Sequence, residues 1–179
     1  MPQDVFITGF GPFGDFNENP SSWLAARSGC DHLILPVTFH AADRFASSLA
    51  SRPEPIVLMM GVNGKGTRLR FERVARNVIG SAPDVNGRHP RRPVIRARGP
   101  ERLATTLFWD MPLAGDDGFE LGEDAGAYLC NYVYYQSLWR AAHKKIGFLH
   151  VPPFDAMSAG TQLERLQRVL DWIGTIRRS

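Results

Sequence analysis

Ile56-Val57-Leu58-Met59-Met60-Gly61 is the stretch that decides the fold. Five consecutive apolar residues without polar alternation describe a strand covered on both faces, as in a mostly parallel sheet, and Gly61 ends it. Three further runs are similar. Val5-Phe6-Ile7-Thr8 ends at Gly9, residues 32–37 form a second strand, and residues 146–151 end before Pro152-Pro153. Helix-like segments lie between them. One starts near Ser21 behind the cap chemistry of Asn19-Pro20-Ser21. Another covers 41–51 and is closed by Arg52-Pro53, and a third covers 130–143. The last, 162–176, places Leu163, Leu166, Val169, Leu170 and Ile173 on one face. Strands alternating with helices predict an α/β fold, a three-layer αβα sandwich with an open, twisted, mostly parallel sheet and helices on both faces.

The middle of the chain is less regular. Residues 69–78 read as one strand, 79–93 as a long loop, 102–111 as a short helix and 114–118 as a polar turn. With 179 residues, 44 % of them hydrophobic, and no repeat or linker, one domain over 1–179 is expected.

The net charge of +3 is modest for this length and argues against a nucleic-acid partner. The basic run Arg88-His89-Pro90-Arg91-Arg92-Pro93, continued by Arg96 and Arg98, reads as a solvated loop followed by an edge strand, with a docking surface for acidic groups as the alternative. Two cysteines make no disulfide framework, and Met1-Pro2-Gln3-Asp4 is followed by no apolar leader. No stretch is long and apolar enough for a bilayer. A reduced, cytoplasmic protein without a membrane partner is expected.

The chemistry concentrates in Ala125-Gly126-Ala127-Tyr128-Leu129-Cys130-Asn131. Gly126 breaks the chain and Cys130 starts a helix, where unpaired N–H groups and the positive end of the macrodipole favour a thiolate. His150 stands at the end of an apolar strand, the edge of an open α/β sheet where active sites gather. The loops after Gly9 and Gly61 begin at the same edge. Glu72, in Phe71-Glu72-Arg73-Val74-Ala75-Arg76-Asn77, is either the group that orients His150 or a surface glutamate paired with Arg73 or Arg76. Spacing does not decide between the two. Cys30, in a turn-like Ser28-Gly29-Cys30-Asp31, reads as structural. Histidines and cysteines show no zinc spacing, and Gly61-Val62-Asn63-Gly64-Lys65-Gly66-Thr67 lacks the spacing of a phosphate loop. Neither a metal nor a cofactor is expected.

Four motifs in order resemble the pyroglutamyl peptidase I (pyrrolidone-carboxylate peptidase) family of cysteine peptidases. They are Thr8-Gly9-Phe10-Gly11-Pro12-Phe13-Gly14 with Asn19-Pro20-Ser21, then Glu72-Arg73-Val74-Ala75-Arg76-Asn77. Asp124-Ala125-Gly126-Ala127-Tyr128-Leu129-Cys130-Asn131 with Tyr135 is the third, and Phe148-Leu149-His150-Val151-Pro152-Pro153 the fourth. The resemblance implies a Cys130–His150–Glu72 triad that removes an N-terminal pyroglutamate from peptides through a thioester. It also implies a lactam pocket containing Phe10, Phe13 and Tyr128. Members of the family occur as homo-oligomers and as monomers, so the assembly stays open.

The chain departs from many bacterial members at Val62, where a glutamine is usual, and at Gly80-Ser81-Ala82-Pro83-Asp84, where an arginine is missing. It departs again at Gly122 and Tyr132, and several of these features look more like animal members. The altered pocket keeps two other functions in view. One is a thiol amidase acting on another small cyclic or N-terminal amide; the other is a binding module that has lost turnover. Retention of nucleophile, base and orienter together counts against the binding module.

Overall fold

The computed structural model describes residues 4–115 and 117–176. The three residues before Asp4, and residue 116 in the expected polar turn, lie outside the described residues. Among the described residues, eight strands and four α-helices follow in the order β1 (Val5–Phe10), α1 (Pro20–Arg27), β2 (Asp31–Leu35), α2 (Phe39–Ser48), β3 (Ile56–Val62), β4 (Leu69–Glu72), β5 (Val74–Arg76), β6 (Arg102–Ala104), β7 (Phe119–Gly122), α3 (Leu129–Arg140), β8 (Lys145–Val151) and α4 (Ala159–Ile176). Six strands form one sheet in the order β2-β1-β3-β8-β4-β7. The first four are parallel, β4 is antiparallel to β8, and β7 is parallel to β4. The mostly parallel α/β sandwich read from the sequence is therefore present.

The alternation of side chains along each strand builds two cores. Val5, Ile7, Ile56, Leu58, Met60, Leu149 and Val151 point to one face and meet Leu24 and Ala25 of α1 and Leu166, Val169 and Ile173 of α4. Phe6, Phe10, Val57, Met59, Ile146 and Phe148 point to the other and meet Phe45 of α2 and Leu129, Val133 and Leu138 of α3. Complete burial of a side chain of this size contributes about 2 kcal/mol, so strands covered on both faces dominate the stability. Among the described residues no helix is long and apolar enough to cross a membrane.

Two expectations are corrected. Residues 102–111 are not a helix: Arg102–Ala104 pairs antiparallel with β5 in a separate two-stranded sheet. Thr105 and Thr106 then donate their hydroxyls to Ile146 O and Lys144 O at 3.0 and 2.8 Å. Partners distant in sequence thus override local helical spacing. Residues 69–78 are not one strand either. The ladder breaks at Arg73, whose N–H bonds Gly122 O and whose carbonyl accepts from Thr105 N, both at 2.7 Å. The chain thereby passes from the large sheet to the small one.

The carboxyl ends of β1, β3 and β8 open on one edge, and α3, which runs back along β8, brings its N-terminus to that edge. Register decides what meets there. His150 on β8 is opposite Gly61 of β3 on one side and Arg70 of β4 on the other. Glu72, two residues along β4, shares the sheet face of Arg70 and His150, and α3 packs on that face.

Candidate active site

The N-terminus of α3 is built locally. Asp124 Oδ1 accepts from Gly126 N at 3.0 Å, and Gly126 takes φ = +86°, a left-handed turn that glycine adopts without steric cost. Tyr128 is the N-cap and offers no side-chain cap, so the first-turn N–H groups, that of Cys130 among them, are left for a ligand. Asn131 anchors the helix. Fully buried, it accepts from Arg76 N at 2.9 Å and donates to Arg76 O and Val78 O at 2.8 and 2.9 Å.

His150 and Glu72 meet across β8 and β4, with Nδ1 2.8 Å from Glu72 Oε1. Glu72 is completely buried, and Tyr134 donates to its backbone carbonyl at 2.9 Å. Phe148 packs its ring 4.9 Å from the imidazole centroid. The Cys130 thiol reaches His150 from α3. Burial pulls the imidazole toward its neutral form, but hydrogen bonding to Cys130 and Glu72 outweighs this and raises His150 from 6.5 to about 9.

This has a consequence for stability. A group whose folded value lies above its unfolded value stabilises fully below the unfolded value and ceases to do so above the folded one. Chemical denaturation across pH is therefore expected to show a loss of stability between about pH 6.5 and pH 9. The His150→Asn variant should lack that loss.

Gly61 explains how the thiol fits. A Cβ at this position would lie 2.7 Å from Cys130 Sγ and 3.0 Å from Phe148 Cζ. Gly61→Ala is expected to fold and to push the Cys130 thiol away from His150; where that thiol is the reacting atom, a displacement of about 1 Å lowers kcat by about 10- to 100-fold. Steady-state kinetics beside a thermal melt checks it.

These groups line a cleft of about 460 Å³, whose other walls include Phe13, Phe16, Val62, Asn63, Arg70 and Tyr128. Its size and partly aromatic lining suit a small ligand. Phe13 and Phe16 exchange backbone hydrogen bonds at 3.3 and 3.0 Å and hold their rings 5.6 Å apart. Tyr128 donates to Pro83 O at 2.8 Å and sits edge-on to Phe39.

The structure brings Cys130, His150, Glu72, Phe13 and Tyr128 together. Phe10 is placed differently: it ends β1, is 4 % exposed and packs in the α2–α3 core, outside the cleft lining. Phe13, Tyr128 and Cys130 pack against that same core cluster. Phe16, Asn63 and Arg70 were not anticipated. Phe16 belongs to the same loop as Phe13, and its aromatic side chain in a Gly/Pro/Asn-rich segment is the signal that could have found it.

A family model described as pyroglutamyl peptidase matches residues 3–163. The chain belongs to the pyroglutamyl peptidase family. Human pyroglutamyl-peptidase 1 is 29 % identical over 183 residues, covering 93 % of this chain and 87 % of the human protein. The pyrrolidone-carboxylate peptidase of Chromobacterium violaceum is 34 % identical over 163 residues, covering 83 % and 77 %. Among solved structures, the pyrrolidone carboxyl peptidase of Fervidobacterium islandicum superposes with a TM-score of 0.85 at 26 % identity, covering 97 % of this chain and 99 % of that one. These relatives are peptidases, and the fold and the enzyme class of this chain are those of the family.

Proposed function

We propose that this protein is a cysteine omega-peptidase that hydrolyses the amide bond after an N-terminal pyroglutamate. The observation that carries the reading is the chain of contacts from buried Glu72, through His150 Nδ1 at 2.8 Å, to Cys130 at the uncapped N-terminus of α3. Cys130 is the nucleophile, His150 the proton carrier, and Glu72 the group that fixes the imidazole tautomer.

Sγ, its proton held by His150, adds to the carbonyl that joins pyroglutamate to the next residue. The N–H of Cys130 donates to the oxyanion, a type of contact typically worth about 3 kcal/mol. His150 protonates the departing amine as the C–N bond breaks, leaving a pyroglutamyl thioester on Cys130. Water, deprotonated by His150, then releases pyroglutamate and returns the thiol. The balance needs only water.

Pyroglutamate is a flat, uncharged lactam, and the faces of Phe13, Phe16 and Tyr128 supply apolar walls for such a ring. Both cysteines are free, the state that a reducing cytoplasm maintains, and the activity is assigned there.

Release of aminocoumarin from pyroglutamyl-aminocoumarin, with prolyl and alanyl derivatives as controls, tests the reading under reducing conditions. Turnover of the pyroglutamyl derivative alone, stopped by iodoacetamide, is expected. Equal turnover of the prolyl derivative would instead indicate a broader thiol amidase, a reading that Val62 in the cleft wall would then explain.

A further inference from the structure

Arg70 has no part in the triad, yet it lines the same cleft and is the cross-strand partner of His150. Its Nε lies 3.2 Å from Glu72 Oε1, the oxygen that also accepts from His150 Nδ1. One carboxylate oxygen is therefore shared by two cationic neighbours. The Arg70 side chain is 30 % exposed while its Nε is buried without a hydrogen bond, and Glu72 Oε2 is buried without one too.

A second feature shows that the site is shaped around this arginine. Gly122 of β7 is the register partner of Glu72, and a Cβ there would collide with both Arg70 Nε and Glu72 Oε2. Only glycine leaves room for the guanidinium edge and the carboxylate side by side.

We propose that Arg70, admitted by Gly122, is a positioning residue for the Glu72–His150 pair: it pins Oε1 in line with Nδ1 and offsets the carboxylate charge that the imidazole feels. Geometry defines which charges act on the ring. From β4 come Glu72 and Arg70, and from α3 come Cys130 and the buried Tyr134, which bonds the Glu72 backbone. Asp124 and Tyr128 stand in the cleft wall. β3 presents Gly61 and Val62, which carry no charge. Arg70 is thus the one fixed cation among the groups named, and a full charge opposite a ring on the next strand acts at short range.

Its role in kinetics rests on the peptidase reading, but its effect on the His150 titration does not. The experiment follows the His150 imidazole by ¹H–¹⁵N NMR in the full chain, assigned with His150→Asn, beside the pH profile of pyroglutamyl-aminocoumarin hydrolysis. With Arg70→Gln the His150 midpoint is expected to rise by at least about half a pH unit as the offsetting charge is lost. The alkaline limb of kcat/KM should move with it, and kcat should fall about 10-fold with KM little changed. Arg70→Lys, which restores the charge but not the planar fork, should return the midpoint and only part of kcat. An unmoved midpoint in Arg70→Gln, or a midpoint in Arg70→Lys that stays with that of Arg70→Gln, would overturn the proposal. If the wild-type protein proves inactive toward the substrate, the peptidase reading fails, and the NMR midpoints still decide the role of Arg70.

Discussion

Cys130→Ala is expected to abolish pyroglutamyl-amide hydrolysis, lowering kcat/KM by about 10⁴-fold or more, while leaving the fold and the melting temperature close to wild type. The size of the effect follows from covalent chemistry. In the proposed mechanism no thioester forms without Sγ, and neither His150 nor the helix N-terminus replaces a nucleophile that attacks within the cleft. The fold should tolerate the change because the thiol is half-buried at the mouth of the cleft, and Leu129, Val133 and Leu138 hold α3 against the sheet. Asn131 secures the same turn through three hydrogen bonds to β5 and the residues after it. Cys30, near α1 and remote from the cleft lining, is the internal control: Cys30→Ala should retain activity.

Glu72→Gln is expected to have the second-largest effect, a loss of about 10²- to 10⁴-fold in kcat. The change is nearly isosteric, so the cause is electrostatic. An amide cannot be the acceptor-only partner that Nδ1–H requires, and when it turns its NH₂ toward the ring it selects the wrong tautomer. It also removes the anion beside Arg70 Nε, at 3.2 Å, leaving that buried donor worse matched. His150, now without the carboxylate that helps to raise it, should titrate closer to the ordinary imidazole value. The rate loss and the lowered midpoint should therefore appear together, by kinetics and by NMR. Arg70→Gln should move the midpoint in the opposite direction, so the two neighbours of His150 are separable.

The sequence made some of this legible because the information was local. β3 and β8 read as buried strands from continuous apolar runs, and the α3 start was readable from Gly126 and the following periodicity. Strand ends were less clear. β1 and β3 continue through Gly9 to Phe10 and through Gly61 to Val62, because ladder partners on neighbouring strands carry them past the glycines.

Non-local pairing hid the rest. β7 is four residues long and exists by pairing with β4. The short helix read into 102–111 gave way to pairing with β5 and to threonine bonds to β8. Glu72 shows the same limit at the site. Its partner is 78 residues away, across the antiparallel β4–β8 pair, and no spacing rule reports that distance. The family resemblance supplied Glu72, whereas Arg70 and Gly122 became meaningful only once register placed them side by side. Phe10 shows it at a strand end: a loop-like Gly/Pro/Phe sequence hid that β1 runs through Phe10, whose ring is buried in the core.

Trapping the covalent intermediate decides whether Cys130 is the nucleophile. The protein is mixed with a pyroglutamyl ester, quenched in acid within the first turnover, digested and read by mass spectrometry. One pyroglutamyl group is expected, attached as a thioester to the peptide that contains Cys130 and absent from Cys130→Ala. A label on the Cys30 peptide, or turnover that continues in Cys130→Ala, would contradict it.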